Sequence, residues 1–345
     1  MSEQPHLPDE TEPTSSTMVL QRMIGGYIIT QLLAVAAKLR IADLLRDGPQ
    51  RSDDLAQATQ THPRALYRML RALTSVGIFA ETAAGCFALT PLAECLQTGA
   101  PHSLRSWAML CGEEWWWHAW GKLSAGVQTG QTPFVQSHHM ELFAYLTHHP
   151  DAAQLFDEAM TDMTGADFRA TLAAYDFTGA ATAIDIGGGQ GLLLAALLQM
   201  YPQMRGMLFD RAPVLDGARQ LLQREGVAAR CVCVAGDFFD MVPTGGDVYM
   251  LRNIIHDWED ARALQILQNC RRAMHAQARL LLLEHVIPLD NTPTGKLSDI
   301  MMMVIPGGLK RTASEFAALL SAAGFQLTRI IPTEAQRSLI EGVPV

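Results

Sequence analysis

From Asp176 onward the chain alternates short apolar runs with helical stretches, and that rhythm leaves few folds open. The apolar runs cover residues 182–186, 206–209, 230–235, 248–251 and 280–284. Helical patterns lie between them at 192–200, 213–225 and 260–273. Such alternation predicts an α/β domain whose mainly parallel sheet is covered by helices on both faces. Ligands of such sheets bind at the carboxyl ends of the strands. The residues just after each run are therefore the candidates for function.

The first run opens into Asp185-Ile186-Gly187-Gly188-Gly189-Gln190-Gly191 and then a helix. Glycines let the backbone approach a ligand closely, and a helix start offers free N–H groups. The spacing is Gly-Gly-Gly-x-Gly rather than Gly-x-Gly-x-x-Gly, which tilts away from a nicotinamide dinucleotide without excluding it. Asp210 follows the second run, where a carboxylate can accept both hydroxyls of a ribose. The competing reading there is a surface turn before Pro213. Asp237-Phe238-Phe239 follows the third, an acid for an adenine amino group beside a ring to cover the base. The fourth ends in Arg252-Asn253-Ile254-Ile255-His256-Asp257-Trp258 and the fifth in Glu284-His285. Together these describe an adenosine pocket with an imidazole and a carboxylate at its open edge.

The front of the chain has a different rhythm. Residues 18–45 carry apolar side chains at helical spacing up to the stop Asp47-Gly48-Pro49. Ser52 reads as the N-cap of a short helix, and His62-Pro63 opens a third helix that halts at Gly77. Residues 78–81 and 86–90 read as two short strands about Ala84-Gly85. Helix, helix, hairpin is a winged-helix pattern. Arg64, Arg68 and Arg71 form a basic stripe on its third helix, which suits either a DNA reader or a solvated face opposite Leu66, Met69, Leu70 and Leu73. Trp115-Trp116-Trp117 cannot all share one helix face, so some pack in a core while others line a cleft or a subunit contact. Helices are expected again over 140–146 and 151–174.

Composition narrows the classes further. With 345 residues, 49% of them hydrophobic and 18% charged, the chain can bury two sizeable cores. A net charge of −9 argues against a nucleic-acid partner. The six cysteines contain no Cys-x-x-Cys pair and read as reduced thiols. No uninterrupted apolar run has the length of a membrane span, and residues 1–17 lack the pattern of a signal peptide. A cytoplasmic protein without membrane or nucleic-acid partners is expected. His138-His139 and His148-His149 lack acidic or cysteine partners at ligand spacing, so no metal site is expected.

The glycine loop, Gly236-Asp237-Phe238-Phe239, His256-Asp257-Trp258 and Gly307-Gly308-Leu309-Lys310-Arg311-Thr312 resemble the S-adenosylmethionine-dependent small-molecule O-methyltransferases of plants and of bacterial natural-product pathways. The resemblance runs from Met18 to near the end, and Phe156 with Ala159-Met160-Thr161-Asp162 is similar to the family's linker-helix motif. It implies a class I methyltransferase sheet, Rossmann-like, preceded by an all-helical, winged-helix-like dimerisation domain. The domains would be a tail at 1–17, a dimerisation and substrate-cap domain at 18–174 and a catalytic domain at 175–345. Homodimerisation through the front domains is implied as well.

Carried over position by position, the resemblance puts Gly187 and Gly189 against the cofactor, Asp210 on its ribose, and Asp237, Phe238 and Arg252 about its adenine. S-adenosyl-L-methionine would be the cofactor and S-adenosyl-L-homocysteine its product. His256 is the implied catalytic base, oriented by Glu284, with Asp257 beside it. Phe156, Met160, Met301, Ile305 and Trp107 would line the pocket for a hydroxylated aromatic acceptor. Lys310 departs from the pattern, because plant relatives carry a second acid there. Facing inward, it would keep the enzyme active in mildly acidic solution by disfavouring the imidazolium; facing outward, it would do little.

A phenol, with a pKa of about 10, is a poor nucleophile at neutral pH, and a histidine near about 6.5 can take its proton as attack develops. Three other readings compete with O-methylation. They are a winged-helix regulator with a ligand-sensing domain, a nicotinamide-dependent dehydrogenase, and a cofactor-binding relative with decarboxylase or hydroxylase chemistry. Retention of both His256 and Glu284 favours methyl transfer.

Overall fold

The computed structural model describes residues 15–164, 171–333 and 337–345. The expected tail and part of the expected helix over 151–174 thus lie outside the described residues. Packing divides the chain into two units that part between Glu113 and Glu114.

The first unit begins with α1 (Ser16–Ile24), α2 (Gly26–Lys38) and α3 (Ile41–Leu44). The single helix expected over 18–45 is therefore broken twice. Gly25, a poor helix former, separates α1 from α2, and Arg40 adopts a left-handed backbone with φ 56° that no right-handed helix propagates. Taken as one stretch, Ser16–Lys38 is long and apolar enough to cross a membrane. Its exposed side chains include Met18, Leu20, Met23, Ile24, Tyr27 and Ile28.

Next come β1 (Gln50–Arg51), α4 (Ser52–Ala58), α5 (Pro63–Thr74), β2 (Phe79–Ala83) and β3 (Cys86–Leu89). Ser52 is not the cap: Arg51 occupies that position, and Ser52 is buried with its N–H bonded to the Gly85 carbonyl at 2.8 Å. Tertiary pairing overrides the capping preference here, because β1 adds a third strand to the expected hairpin in the order β1-β3-β2. Leu66, Leu70 and Leu73 of α5 pack with Leu55, Phe79 and Phe87, while Arg64, Arg68 and Arg71 are exposed. That is an amphipathic helix with a solvated basic face. Two short helices, α6 (Pro91–Glu94) and α7 (Arg105–Cys111), complete the unit.

The second unit opens with α8 (Glu114–Trp120), α9 (Leu123–Thr129), α10 (Pro133–His138), α11 (Leu142–His148) and α12 (Pro150–Thr164). Trp115 and Trp116 are buried, and Trp115 meets Phe134 and Tyr145 at 6.1 and 5.5 Å. The change of rhythm near residue 175 marks where the sheet begins. Packing parts the chain earlier, since α9 and α10 contact the later helix Lys296–Val304.

The sheet consists of β4 (Thr182–Ile186), β5 (Arg205–Asp210), β6 (Cys231–Ala235), β7 (Val248–Arg252), β8 (Arg279–Glu284), β9 (Phe325–Pro332) and β10 (Ser338–Pro344). Its order is β6-β5-β4-β7-β8-β10-β9, with β4 to β8 parallel and β10 antiparallel to both neighbours. The last two strands join the five expected from the sequence. Their polar edge residues Gln326, Thr328 and Arg329, and the irregularity at Glu341/Gly342, obscure the strand alternation. Register brings the five parallel strand ends level: Ile186 pairs with Phe209 and with Leu251, and Arg252 with Leu283. The candidates that follow the five parallel strands therefore emerge along one edge of the sheet.

Close helix packing in the first unit yields a stability test. A Cβ on Gly112 would collide with the Cβ of Ala34 where α2 crosses α7. Gly112→Ala is expected to cost about 1–3 kcal/mol by overpacking, read as a lower urea midpoint. An unchanged midpoint would mean that the crossing relaxes freely.

Candidate active site

The centre of the site is a buried carboxylate. Glu284 ends β8 with no exposure, and a charge so placed must be matched by donors. Its Oε1 accepts the N–H groups of Ile255 at 3.0 Å and His256 at 3.3 Å, and its Oε2 accepts a short hydrogen bond from His256 Nδ1. Burial alone would raise its pKa. The His256 imidazole, Lys310 and those hydrogen bonds outweigh burial and hold Glu284 below the usual carboxylate range. An ionised carboxylate only accepts, so Nδ1 carries a proton towards Glu284, and in the neutral form of the ring the lone pair lies on Nε2. Asp257 Oδ1 lies 3.5 Å from that nitrogen. Burial pushes the Asp257 carboxyl up to about 6 against the attraction of His256.

The turn bearing His256 is clamped from behind. Arg311 is fully buried; it donates to the carbonyls of Ile255 at 3.1 Å and Trp258 at 3.0 Å and pairs with Asp260 at 2.8 Å. Gly308 is pressed so closely on the His256–Trp258 backbone that any Cβ would overlap it. The Gly307-to-Thr312 segment is thus a backstop for the histidine turn.

Lys310 resolves the alternative left by the sequence. It is 6% exposed and lies within electrostatic reach of Glu284, Arg337, Asp257 and Asp299. Burial lowers its pKa, and the three carboxylates oppose that shift. Neighbouring His285 is pushed down to about 4 by burial, with Lys310 and Arg337 adding repulsion.

At the other side of the edge, Gly187 has φ 66°, and a Cβ there would lie 2.5 Å from Ile254 Cδ1 and 3.6 Å from Phe238 Cε1. The glycine thus brings the loop against the aromatic residue after β6. Asp210 accepts the Gly189 N–H on Oδ2 at 2.8 Å and the Arg211 N–H on Oδ1 at 2.7 Å. Burial raises its pKa despite those bonds. Asp237 is exposed and accepts the Phe239 N–H at 2.8 Å. Asp185 lies beneath the loop with both carboxylate oxygens buried and without hydrogen bonds. Burial drives it up to about 7, with Arg252 opposing and Asp210 adding to the shift. An acid-lined cradle with a bare glycine backbone suits a nucleoside that carries positive charge.

Of the expected acceptor residues, Phe156 and Met160 stand one turn apart on α12. Met301 is partly buried on Lys296–Val304, and Ile305 is buried just beyond it. Trp107 belongs to α7 of the first unit and is half-buried there. No local pattern singles out Phe143. It stacks on Trp258 at 5.4 Å, meets Phe156 edge-on at 6.3 Å and lies under the Arg211 guanidinium at 5.7 Å. A single aromatic in a short amphipathic helix carries no signal that it spans two elements. Arg311 and Gly308 were visible only as motif letters. Among the described residues no group of three or more His, Cys, Asp or Glu gathers to hold a metal ion.

Comparison with known proteins agrees with this geometry. An O-methyltransferase domain model matches residues 120–326, and an O-methyltransferase dimerisation domain model matches residues 21–99. The chain is 45% identical to phenazine O-methyltransferase PhzM of Lysobacter antibioticus, over 96% of this chain and 97% of that one. It is 31% identical to phenazine-1-carboxylate N-methyltransferase of Pseudomonas aeruginosa, over 93% and 95%. It also superposes, with a TM-score of 0.81 and 28% identity, on an O-methyltransferase from neocarzinostatin biosynthesis in complex with S-adenosylmethionine and 2-hydroxy-5-methyl naphthoic acid, covering 92% and 96%. With both domain models and near full-length relatives in agreement, the chain belongs to the family of S-adenosylmethionine-dependent O-methyltransferases.

Proposed function

We propose that this enzyme methylates a hydroxyl of a planar aromatic small molecule, with His256 as the general base. The observation that carries the reading is the His256–Glu284 pair, which fixes the tautomer and leaves Nε2 as a proton acceptor at the sheet edge. Gly187 and Gly189 would border the cofactor, Asp210 would take its ribose, and Asp237, Phe238 and Arg252 its adenine. S-adenosylmethionine supplies an activated methyl group when bound, so the protein's task is alignment and removal of one proton. His256 Nε2 accepts the hydroxyl proton as the oxygen attacks, and Glu284 stabilises the imidazolium that results. Asp257 sits beside the same nitrogen, where it can hold a second polar group of the acceptor.

Phe156, Met160, Met301 and Ile305 would offer a flat and adaptable apolar lining. The phenazine and naphthoate relatives support an aromatic acceptor. A nitrogen acceptor is the second reading, favoured by the N-methylating relative. The exposed apolar side chains of α1 and α2, together with the dimerisation model, support a two-fold homodimer.

Three outcomes are expected. A mass-spectrometric screen of phenolic acceptors against wild type and His256→Ala should show a gain of one methylene. The variant should bind S-adenosylhomocysteine normally by calorimetry yet lose roughly 10²–10⁴-fold in turnover. Wild-type turnover in the variant would remove His256 as the base. Replacing Lys310 by glutamate puts an anion in place of a cation and stabilises any protonated neighbour. The acid limb of the turnover profile should therefore move to higher pH, and superimposable limbs would detach Lys310 from the catalytic group. Light scattering should return twice the 37.8 kDa chain mass, and a monomer mass at micromolar concentration would contradict the homodimer.

A further inference from the structure

Asp157 lies on α12 between the aromatic contact of Phe156 and the fully buried Ala159, on the helix that also carries Met160. Its carboxylate is partly buried and makes no hydrogen bond or ion pair among the described residues, although it lies within electrostatic reach of Asp210 and Arg211. A carboxylate withdrawn from water without donors is costly to keep. Burial pushes it up to about 6, and the Asp210 charge adds to that shift while Arg211 opposes it.

The contacts of neighbouring Phe156 bring this part of α12 to the end of β5. Phe156 meets Phe143, Phe143 stacks on Trp258, and the Arg211 guanidinium caps the same Phe143 ring. Three elements thus converge beside the residue that ends β5. Each oxygen of Asp210 already accepts one backbone N–H, from Gly189 and from Arg211. A carboxylate oxygen has about two acceptor sites, so each retains one. A ribose held there presents two hydroxyls that both seek acceptors.

We propose that Asp157 is a second ribose-binding carboxylate, reaching from α12 so that the cofactor's diol is gripped from the sheet side by Asp210 and from the helix side by Asp157. One ribose O–H donates to Asp210 and the other to Asp157. The helix bearing Phe156 and Met160 is thereby held to the bound cofactor.

Calorimetry on the full chain, with S-adenosylhomocysteine and its 2′-deoxy and 3′-deoxy forms as probes, tests this without any methyl acceptor. It is thus independent of the acceptor chemistry proposed above. Asp157→Ala should weaken S-adenosylhomocysteine binding roughly tenfold, in line with one hydrogen bond to a charged group. One of the two deoxy probes should lose the same roughly tenfold against wild type but little further against Asp157→Ala. The near-isosteric Asp157→Asn, which keeps an acceptor oxygen, should recover part of the loss. Undiminished binding by Asp157→Ala would overturn the assignment. So would an equal loss for the parent and both deoxy probes, because a merely structural role for Asp157 weakens all three alike.

Discussion

A fully buried carboxylate organises this molecule's chemistry. Glu284 exists as an ion at the end of β8 only because two backbone N–H groups and an imidazole N–H converge on it. That convergence needs β7 and β8 side by side in register, so that the turn after Arg252 arrives beside Glu284. It also needs Arg311, itself buried, to bind the carbonyls that the turn leaves facing inward. Remove any one and a buried charge or carbonyl is left without a partner. The position of His256 is therefore a consequence of the sheet, the turn and the Gly307–Thr312 segment together.

Charge is segregated along the same edge. Asp185 and Asp210 lie against the glycine loop, Asp157 is within electrostatic reach of Asp210, and burial drives each upward. Mutual repulsion of acids in a partly dry site is relieved by a cationic ligand, and S-adenosylmethionine carries a sulfonium and an ammonium. At the other end, Lys310 and Arg337 balance Glu284, Asp257 and Asp299. At the Lys310 position a cation helps keep Glu284 ionised.

Much of this was readable in the linear chain. Strand period, glycine spacing and the identity of the residue after each apolar run placed Gly187, Asp210, Phe238, His256 and Glu284 on one edge before any coordinates. Local patterns carry that information because a parallel sheet forces successive strand ends to one side. The readings that failed were those in which distant pairing overrides local preference. Ser52 has the chemistry of a cap yet is drawn into a strand-edge contact with Gly85. The long apolar front helix breaks at Arg40, whose left-handed backbone is accompanied by a side-chain bond to Thr98 at 3.4 Å. β9 hid because an edge strand carries polar residues that blur a period of two, and β10 because the irregularity at Glu341/Gly342 breaks its alternation.

The sequence by itself determined the class of sheet and which glycines, acids and histidine follow its strands, since periodicity and residue chemistry are local properties. Only the tertiary structure decided what those groups do to one another. It turned Lys310 inward beside Glu284, set Gly308 and Arg311 behind the histidine turn, and brought Phe143 and Asp157 from helices α11 and α12 towards Arg211 at the end of β5. Burial and electrostatic reach depend on elements far apart in the chain, and no local pattern encodes them.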